Sequence, residues 1–249
     1  LDDPNVQLII PKIKRRRVTY GLTAQADISA SEIRYNDTFG SAFNVSRGPE
    51  LLGELKLPVP GKHNVYNALA ATAVALELDI PFDTITRAFG SFKNANRRFQ
   101  LKGEVNGIMV VDDYGHHPTE IVATLSAAKN SATGRRTVVV FQPHRYSRTR
   151  ELMDDFVVAF NNADVLLILD IYAASEQPIE GITAEVLTEN IKRYGHKNVS
   201  YIGAIESATD RICELIRPGD LVITLGAGSI TRLSDEILEC IKNGNKARS

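Results

Sequence analysis

Beyond about residue 104 the chain alternates between two hydrophobic patterns. Largely apolar runs at 108–111, 138–141, 165–169, 199–202 and 221–225 are each followed by an amphipathic stretch, starting near Pro118, Thr149, Thr183, Ile205 and Ile230. A strand that is apolar throughout has both faces covered, and strands alternating with helices mark a parallel sheet flanked by helices. The pattern predicts an α/β domain with a doubly wound, mostly parallel, Rossmann-like sheet. The first sixty residues are patterned differently. Segments at 17–21, 28–35 and 39–45 are rich in β-branched and aromatic side chains, with a turn expected at Asn36-Asp37, and read as an antiparallel or mixed β segment. After two prolines and a glycine the period becomes helical, with Val65, Leu69, Ala73 and Leu76 on one face and Asn64 placed to cap. A second helix is expected from Pro81 to about Phe89. The two patterns meet near 99–103, dividing the chain into parts at 1–100 and 101–249, and the last residues, KNGNKARS, read as a frayed, solvated tail.

Composition narrows the classes of function. With 249 residues, 43% hydrophobic, 24% charged and a formal net charge of -1, the chain is globular rather than disordered, and nucleic acid is not an expected partner. No apolar stretch approaches the roughly 20 residues of a membrane span, and no signal peptide opens the chain, so no membrane partner and a cytoplasmic location are expected. Cys213 and Cys240 lie in helical patterns without C-x-x-C spacing, which suggests buried thiols in a reducing compartment.

The chemistry is concentrated in DDYGHHP, residues 112–118, directly after the first strand of the second part. In an open α/β sheet, ligands bind beyond the carboxyl ends of the strands, and Pro118 suits the first turn of a helix, so His116 and His117 are expected at an anion-favouring helix N-terminus. FQPHRYSRTRE, residues 141–151, repeats the arrangement after the next strand, with His144, Arg145, Arg148 and Arg150, and with Ser147 and Thr149 available as caps. Two neighbouring strand ends would present cationic loops to one crevice. The planar guanidinium matches a carboxylate or phosphate bidentately, so an acidic small molecule is the implied ligand. A transition-metal site is the weaker reading, because two adjacent histidines point in different directions and no i, i+4 pair or cysteine accompanies them. A purely structural reading, in which Asp112 and Asp113 cap or pair and the arginines are solvated, would suit one such loop better than two.

Two further stretches carry weaker signals. GKHNVYN, residues 61–67, fails the phosphate-loop pattern, lacking the first glycine and the hydroxyl residue after the lysine, but places His63 and Asn67 on one helical face. GAGSI, residues 226–230, lacks the third glycine of a dinucleotide fingerprint and reads as a tight turn with close backbone packing; a nicotinamide-dependent oxidoreductase is therefore not favoured.

GKHNVYNALAA, RRFQ at 97–100, DDYGHHPTEI and FQPHRYSRTR, in this order and spacing, resemble the Mur ligases over nearly the whole chain. Within that family they are most similar to the members that add L-alanine, since the paired histidines followed by PTE and the HRYSRT loop distinguish these from members adding D-glutamate or a diamino acid. A murein-peptide recycling ligase shares the histidine pair and is the alternative within the family; a module that only binds an anionic metabolite is the alternative outside it. The resemblance implies ATP-dependent joining of L-alanine to the lactyl carboxylate of UDP-N-acetylmuramate through an acyl phosphate. It further implies that His63 serves Mg2+, Asn67 hydrogen-bonds adenine, Arg98 touches the nucleotide phosphates and Asp113 accepts from the ribose. His116 and Arg148, with Tyr114 beside them, would hold the alanine carboxylate; His117, His144 and Arg145 receive no assigned role. The family has three domains, and its UDP-sugar domain, its Gly-Lys-Thr phosphate loop and a magnesium-holding glutamate have no counterpart here. The expectation is a piece of a longer enzyme, inactive alone, with a Gly-Lys-Thr loop upstream of Leu1 in the parent reading frame.

Overall fold

The structure, a computed structural model, describes residues 1–36 and 39–244. It divides into two compact units, Leu1–Asn94 and Ala95–Ser249. The first opens with helix α1 (Pro4–Ile9), whose N-terminal amides of Asn5 and Val6 are accepted by the Asp3 side chain. Strands β1 (Tyr20–Gly21), β2 (Ile28–Tyr35), β3 (Ser41–Arg47) and β4 (Glu50–Leu57) follow in spatial order, β1 parallel to β2 and the other pairs antiparallel. This is the mixed sheet that the first sixty residues imply, with β4 as a strand that the pattern did not single out. Helices α2 (Lys62–Glu77) and α3 (Phe82–Gly90) complete the unit. Phe43, Val45 and Leu55 from the sheet and Val65 and Leu69 from α2 are wholly buried in one core.

Local side-chain chemistry moves several boundaries. Only residues 20–21 of the expected first strand pair, because the Thr19 amide and hydroxyl both donate to Asp27, at 2.7 and 2.8 Å. β3 starts at Ser41 rather than Phe39, which has φ 59° and donates to the Asn36 carbonyl. Asp37 of the expected Asn36-Asp37 turn lies outside the described residues. α2 begins at Lys62, so Asn64 is inside the first turn, donating to the Pro60 carbonyl at 2.7 Å; Gly61, at φ 99°, is the N-cap in its place.

The second unit is a single six-stranded sheet. Its elements in chain order are β5 (Gln100–Val105), β6 (Ile108–Asp113), α4 (Pro118–Ser131), β7 (Arg136–Phe141), α5 (Tyr146–Glu151), α6 (Met153–Ala159) and β8 (Val165–Leu169). Then come α7 (Ala184–Arg193), β9 (Val199–Gly203), α8 (Ala208–Leu215), β10 (Asp220–Leu225) and α9 (Thr231–Gly244). The spatial order is β5-β6-β10-β7-β8-β9, parallel except for β5, which runs antiparallel on the edge. Every residue of β6 and β10 is buried, as strands covered on both faces must be. Val110, Val138, Val140 and Val222 have no exposed surface, and each such side chain contributes about 1.5–3 kcal/mol by leaving water.

Arg97 and Phe99 hydrogen-bond to Asp112 and Asp113 of β6, so the residues before Gln100 belong with the second unit, a few positions earlier than the hydrophobic patterns alone suggest. Cys213 of α8 and Cys240 of α9 are not buried thiols. They are half-buried and joined as a disulfide, their Cα atoms 6.7 Å apart where the two helices pack together. Of the expected tail, Lys242 to Gly244 finish α9, and residues 245–249 lie outside the described residues.

Candidate anion-binding site at the carboxyl edge of the sheet

Asp112 and Asp113 are the last two residues of β6 rather than part of a loop, and both are buried. Asp112 accepts from Arg97 Nε at 2.9 Å and from the Thr224 and Thr231 hydroxyls, each at 2.7 Å. Asp113 accepts from the Phe99 amide at 2.6 Å, the Gly115 amide at 2.7 Å and the Thr124 hydroxyl at 3.2 Å. Burial pushes the Asp113 carboxyl above the usual carboxylate range, against the pull of these donors and of Arg98. Gly115 has to be glycine here, since a Cβ would come within 2.8 Å of Asp113 Oδ1.

The chain then turns into α4, with His117 as N-cap. Its Nδ1 accepts from the Thr119 amide at 3.3 Å, while the Glu120 carboxylate accepts from the amides of His116 and His117 at 3.0 and 3.2 Å. Burial pushes Glu120 up, but those two amides, helped by His116 and Arg98, outweigh it and hold the carboxyl below its ordinary value. Tyr114 lies under two guanidinium groups, Arg97 at 5.1 Å and Arg98 at 5.8 Å from its ring centre, and meets the His116 ring edge-on at 5.2 Å.

The loop between β7 and α5 is held differently. Arg145 is the N-cap of α5 at φ 73°, a left-handed backbone conformation uncommon outside glycine, and it is fixed there by its amide donating to the Tyr172 carbonyl at 2.8 Å. Neither Ser147 nor Thr149 caps the helix: Thr149 is buried and donates back to the Arg145 carbonyl, and the Ser147 hydroxyl donates to Glu176. The cap comes from the loop after β8, where Glu176 accepts from the Ser147 amide at 3.0 Å and hydroxyl at 2.7 Å and pairs with Arg145 at 3.5 Å. Arg148 Nη1 lies 3.1 Å from both the carbonyl and Nδ1 of His144, whose ring stacks on Tyr172 with centroids 5.4 Å apart. Burial, and then the charges of Arg148, His116 and Arg145, lower the His144 pKa against a smaller opposing effect of Glu176. A neutral His144 lets Nδ1 accept from the Arg148 guanidinium.

β10 lies between β6 and β7, so the two cationic loops do not stem from neighbouring strands as the sequence order suggests. They converge nonetheless across its end, with the His116 and His144 rings 5.8 Å apart. The resulting cavity of about 580 Å³ is lined by Tyr114, His116, His144, Arg145, Arg148 and Ala227, among others. The turn after β10 is packed too tightly for side chains: a Cβ on Gly226 would lie 2.8 Å from the Gln142 carbonyl oxygen, and one on Gly228 would lie 2.9 Å from the Tyr172 ring. That is the close backbone packing expected of GAGSI. Cations gathered at a strand crossover beside a helix N-terminus suit a carboxylate, and charge-assisted hydrogen bonds of this kind contribute roughly 1.5–3 kcal/mol each.

Arg98 pairs with Glu120 at 3.7 Å and is not among the residues that line the cavity. His63 and Asn67 lie one turn apart at the exposed start of α2 in the first unit. Among the described residues no group of three or more His, Cys, Asp or Glu side chains is placed to hold a metal. The sequence reading missed Glu120, Glu176 and Tyr172 as builders of the site. The first was signalled by its place three residues after the N-cap, in a capping box; the other two have no local signal.

Strand order, crossover position and cation-lined cavity define an α/β protein with a cavity at a topological switch point whose lining suits a small anion. The chain belongs to the Mur ligase family: residues 97–228 match the "Mur ligase, glutamate ligase domain" and residues 1–75 the "Mur ligase middle domain". The UDP-N-acetylmuramate--L-alanine ligase of Geotalea daltonii is 53% identical over 242 residues, covering 97% of this chain and 52% of that protein. The protein of the same name from a Geobacter species is 52% identical over 246 residues, again covering 97% and 52%. Among solved structures, the UDP-N-acetylmuramate-alanine ligase of Thermotoga maritima superposes with a TM-score of 0.75 at 26% identity, over 91% of this chain and 48% of that one. The chain thus spans about half the length of the curated relatives it matches.

Proposed function

We propose that this chain forms the amino-acid-binding part, and a portion of the nucleotide-binding part, of a cytoplasmic ligase that joins L-alanine to UDP-N-acetylmuramate at the expense of ATP, in peptidoglycan precursor synthesis. The observation that carries the reading is the convergence of His116 and Arg148 from two separate loops on one cavity, in a chain about half identical to alanine-adding relatives. His116 and Arg148 bind the alanine carboxylate, with Tyr114 closing one side. Fixing the carboxylate leaves the amine to approach an acyl phosphate formed on the lactyl group; the enzyme's task is positioning and neutralising phosphoryl charge. Arg98 contacts the phosphates. Asp113 keeps little lone-pair capacity for a ribose hydroxyl after three internal hydrogen bonds, so its larger role is to fix the loop. Asn67 meets adenine. For magnesium, His63 is the ligand that the resemblance offers; one exposed imidazole does not by itself make a magnesium site, and the phosphate oxygens of the nucleotide are the hard donors the ion prefers.

The test is alanine-dependent phosphate release from ATP, magnesium and UDP-N-acetylmuramate by this chain joined to the N-terminal half of the Geotalea daltonii ligase. Release that requires L-alanine supports the reading. A folded hybrid that binds the nucleotide and UDP-N-acetylmuramate yet releases no phosphate with alanine, or releases it only with another amino acid or a peptide, overturns it.

A further inference from the structure

The geometry points to Glu120 as a positioning residue that ties the nucleotide-facing arginine to the alanine-facing histidine, so that one carboxylate couples the two halves of the site. This rests on the function proposed above.

Glu120 is the third residue of α4, where a capping-box glutamate needs only to satisfy the amide of the N-cap residue. Here it reaches further. Oε2 accepts from the amides of both His116 and His117 and lies 3.6 Å from His116 Nδ1, while Oε1 lies 3.7 Å from Arg98 Nη1. The two assigned ligand contacts thus share one carboxylate, with the Tyr114 ring against both. The carboxylate lies between the two side chains and, together with the Tyr114 carbonyl 3.1 Å from His116 Nδ1, sets their separation and orientation before either ligand arrives. Preorganising both contacts at once lowers the ordering needed on binding. Removing the charge should therefore weaken the use of both ligands together, although Glu120 touches neither.

Glu120→Gln retains an oxygen that accepts from the two amides and removes the charge. In the ligation assay above we expect the KM values for L-alanine and for ATP each to rise about tenfold, with kcat changing less, as for lost binding rather than lost chemistry. Combined with Arg98→Ala, the substitution should raise the KM for ATP no further than Arg98→Ala alone, because the pair acts as a unit. If the carboxylate served only the helix cap, Glu120→Gln would lower the melting temperature and leave both KM values alone. Unchanged KM values in a folded Glu120→Gln protein, or fully additive effects with Arg98→Ala, overturn the proposal while the ligase reading stands. No alanine ligation by the unsubstituted protein overturns that reading instead. Should Glu120→Gln fail to fold, Glu120→Asp, which keeps the charge but shortens the reach to Arg98, should raise the KM for ATP; an unchanged value overturns the proposal.

Discussion

The two loops that form the cavity are alike in composition and opposite in construction. The loop after β6 is held by its own neighbourhood: Asp113, Gly115, His117 and Glu120 lie within eight residues and satisfy one another's amides. The loop after β7 borrows its support from across the sheet, since Glu176 caps α5 and Tyr172 both holds the Arg145 amide and stacks on His144. A helix start that supplies its own cap tolerates changes elsewhere, whereas one capped from another loop depends on that loop's register. Arg148 therefore depends on residues about 25 positions away, while the amides of His116 and His117 are satisfied by a residue no more than four away.

The largest test of this contrast is Arg148→Ala in the ligation assay. Loss of an arginine from a desolvated carboxylate pair should reduce kcat/KM for alanine by the equivalent of about 2–4 kcal/mol while leaving ATP use nearly unchanged. An unaffected kcat/KM for alanine would remove Arg148 from the site. Asp113→Ala comes next, and its effect should appear in the polypeptide itself. It strands the buried Phe99 and Gly115 amides, at about 1–3 kcal/mol, which should lower the melting temperature by several degrees. If ATP use falls with no loss of stability, Asp113 is a ligand contact rather than the post that holds the loop. Glu176→Ala should be smaller again and one-sided: a higher KM for alanine than in the parent, by less than Arg148→Ala produces, and no change for ATP. Equal effects on both substrates would mean that the borrowed support is not confined to the second loop.

The smallest expected effect is one of pH. The pKa of His144 is lowered in the fold by burial and by Arg148, and that of His196 by burial, against the opposing carbonyls of Ala163 and Phe160. A histidine whose folded pKa is depressed stabilises the protein fully above its unfolded pKa, about 6.5, and that contribution is lost as pH falls through the folded pKa. Melting temperature should thus hold between pH 8 and 7 and decline modestly toward pH 5.5. His196→Gln, distant from the cavity, should remove only part of the decline. A decline that vanishes entirely in this variant would show that His144 does not titrate differently on folding.

Hydrophobic periodicity determined a great deal. The five parallel strands, the helices between them and the mixed sheet of the first sixty residues follow from which positions are apolar, because a strand buried on both faces has to be apolar throughout. The resemblance carried by DDYGHHPTEI and FQPHRYSRTR belongs to the sequence as well, and the capping box that makes Glu120 a neighbour of His116 was legible in it. Strand order was not. That β10, last in the chain, inserts between β6 and β7 depends on a crossover leaving no mark on local periodicity, and it alone decides which loops face each other. Whether an acid is ligand or support was equally hidden. Asp112 and Asp113 are buried and held by five side-chain and amide donors beyond their own loop, contacts that no local pattern announces. The pairing of Cys213 with Cys240 likewise required two helices to meet. Pattern fixes what each segment becomes, because propensity and burial act along the chain; which side chains share a cavity is decided only by packing.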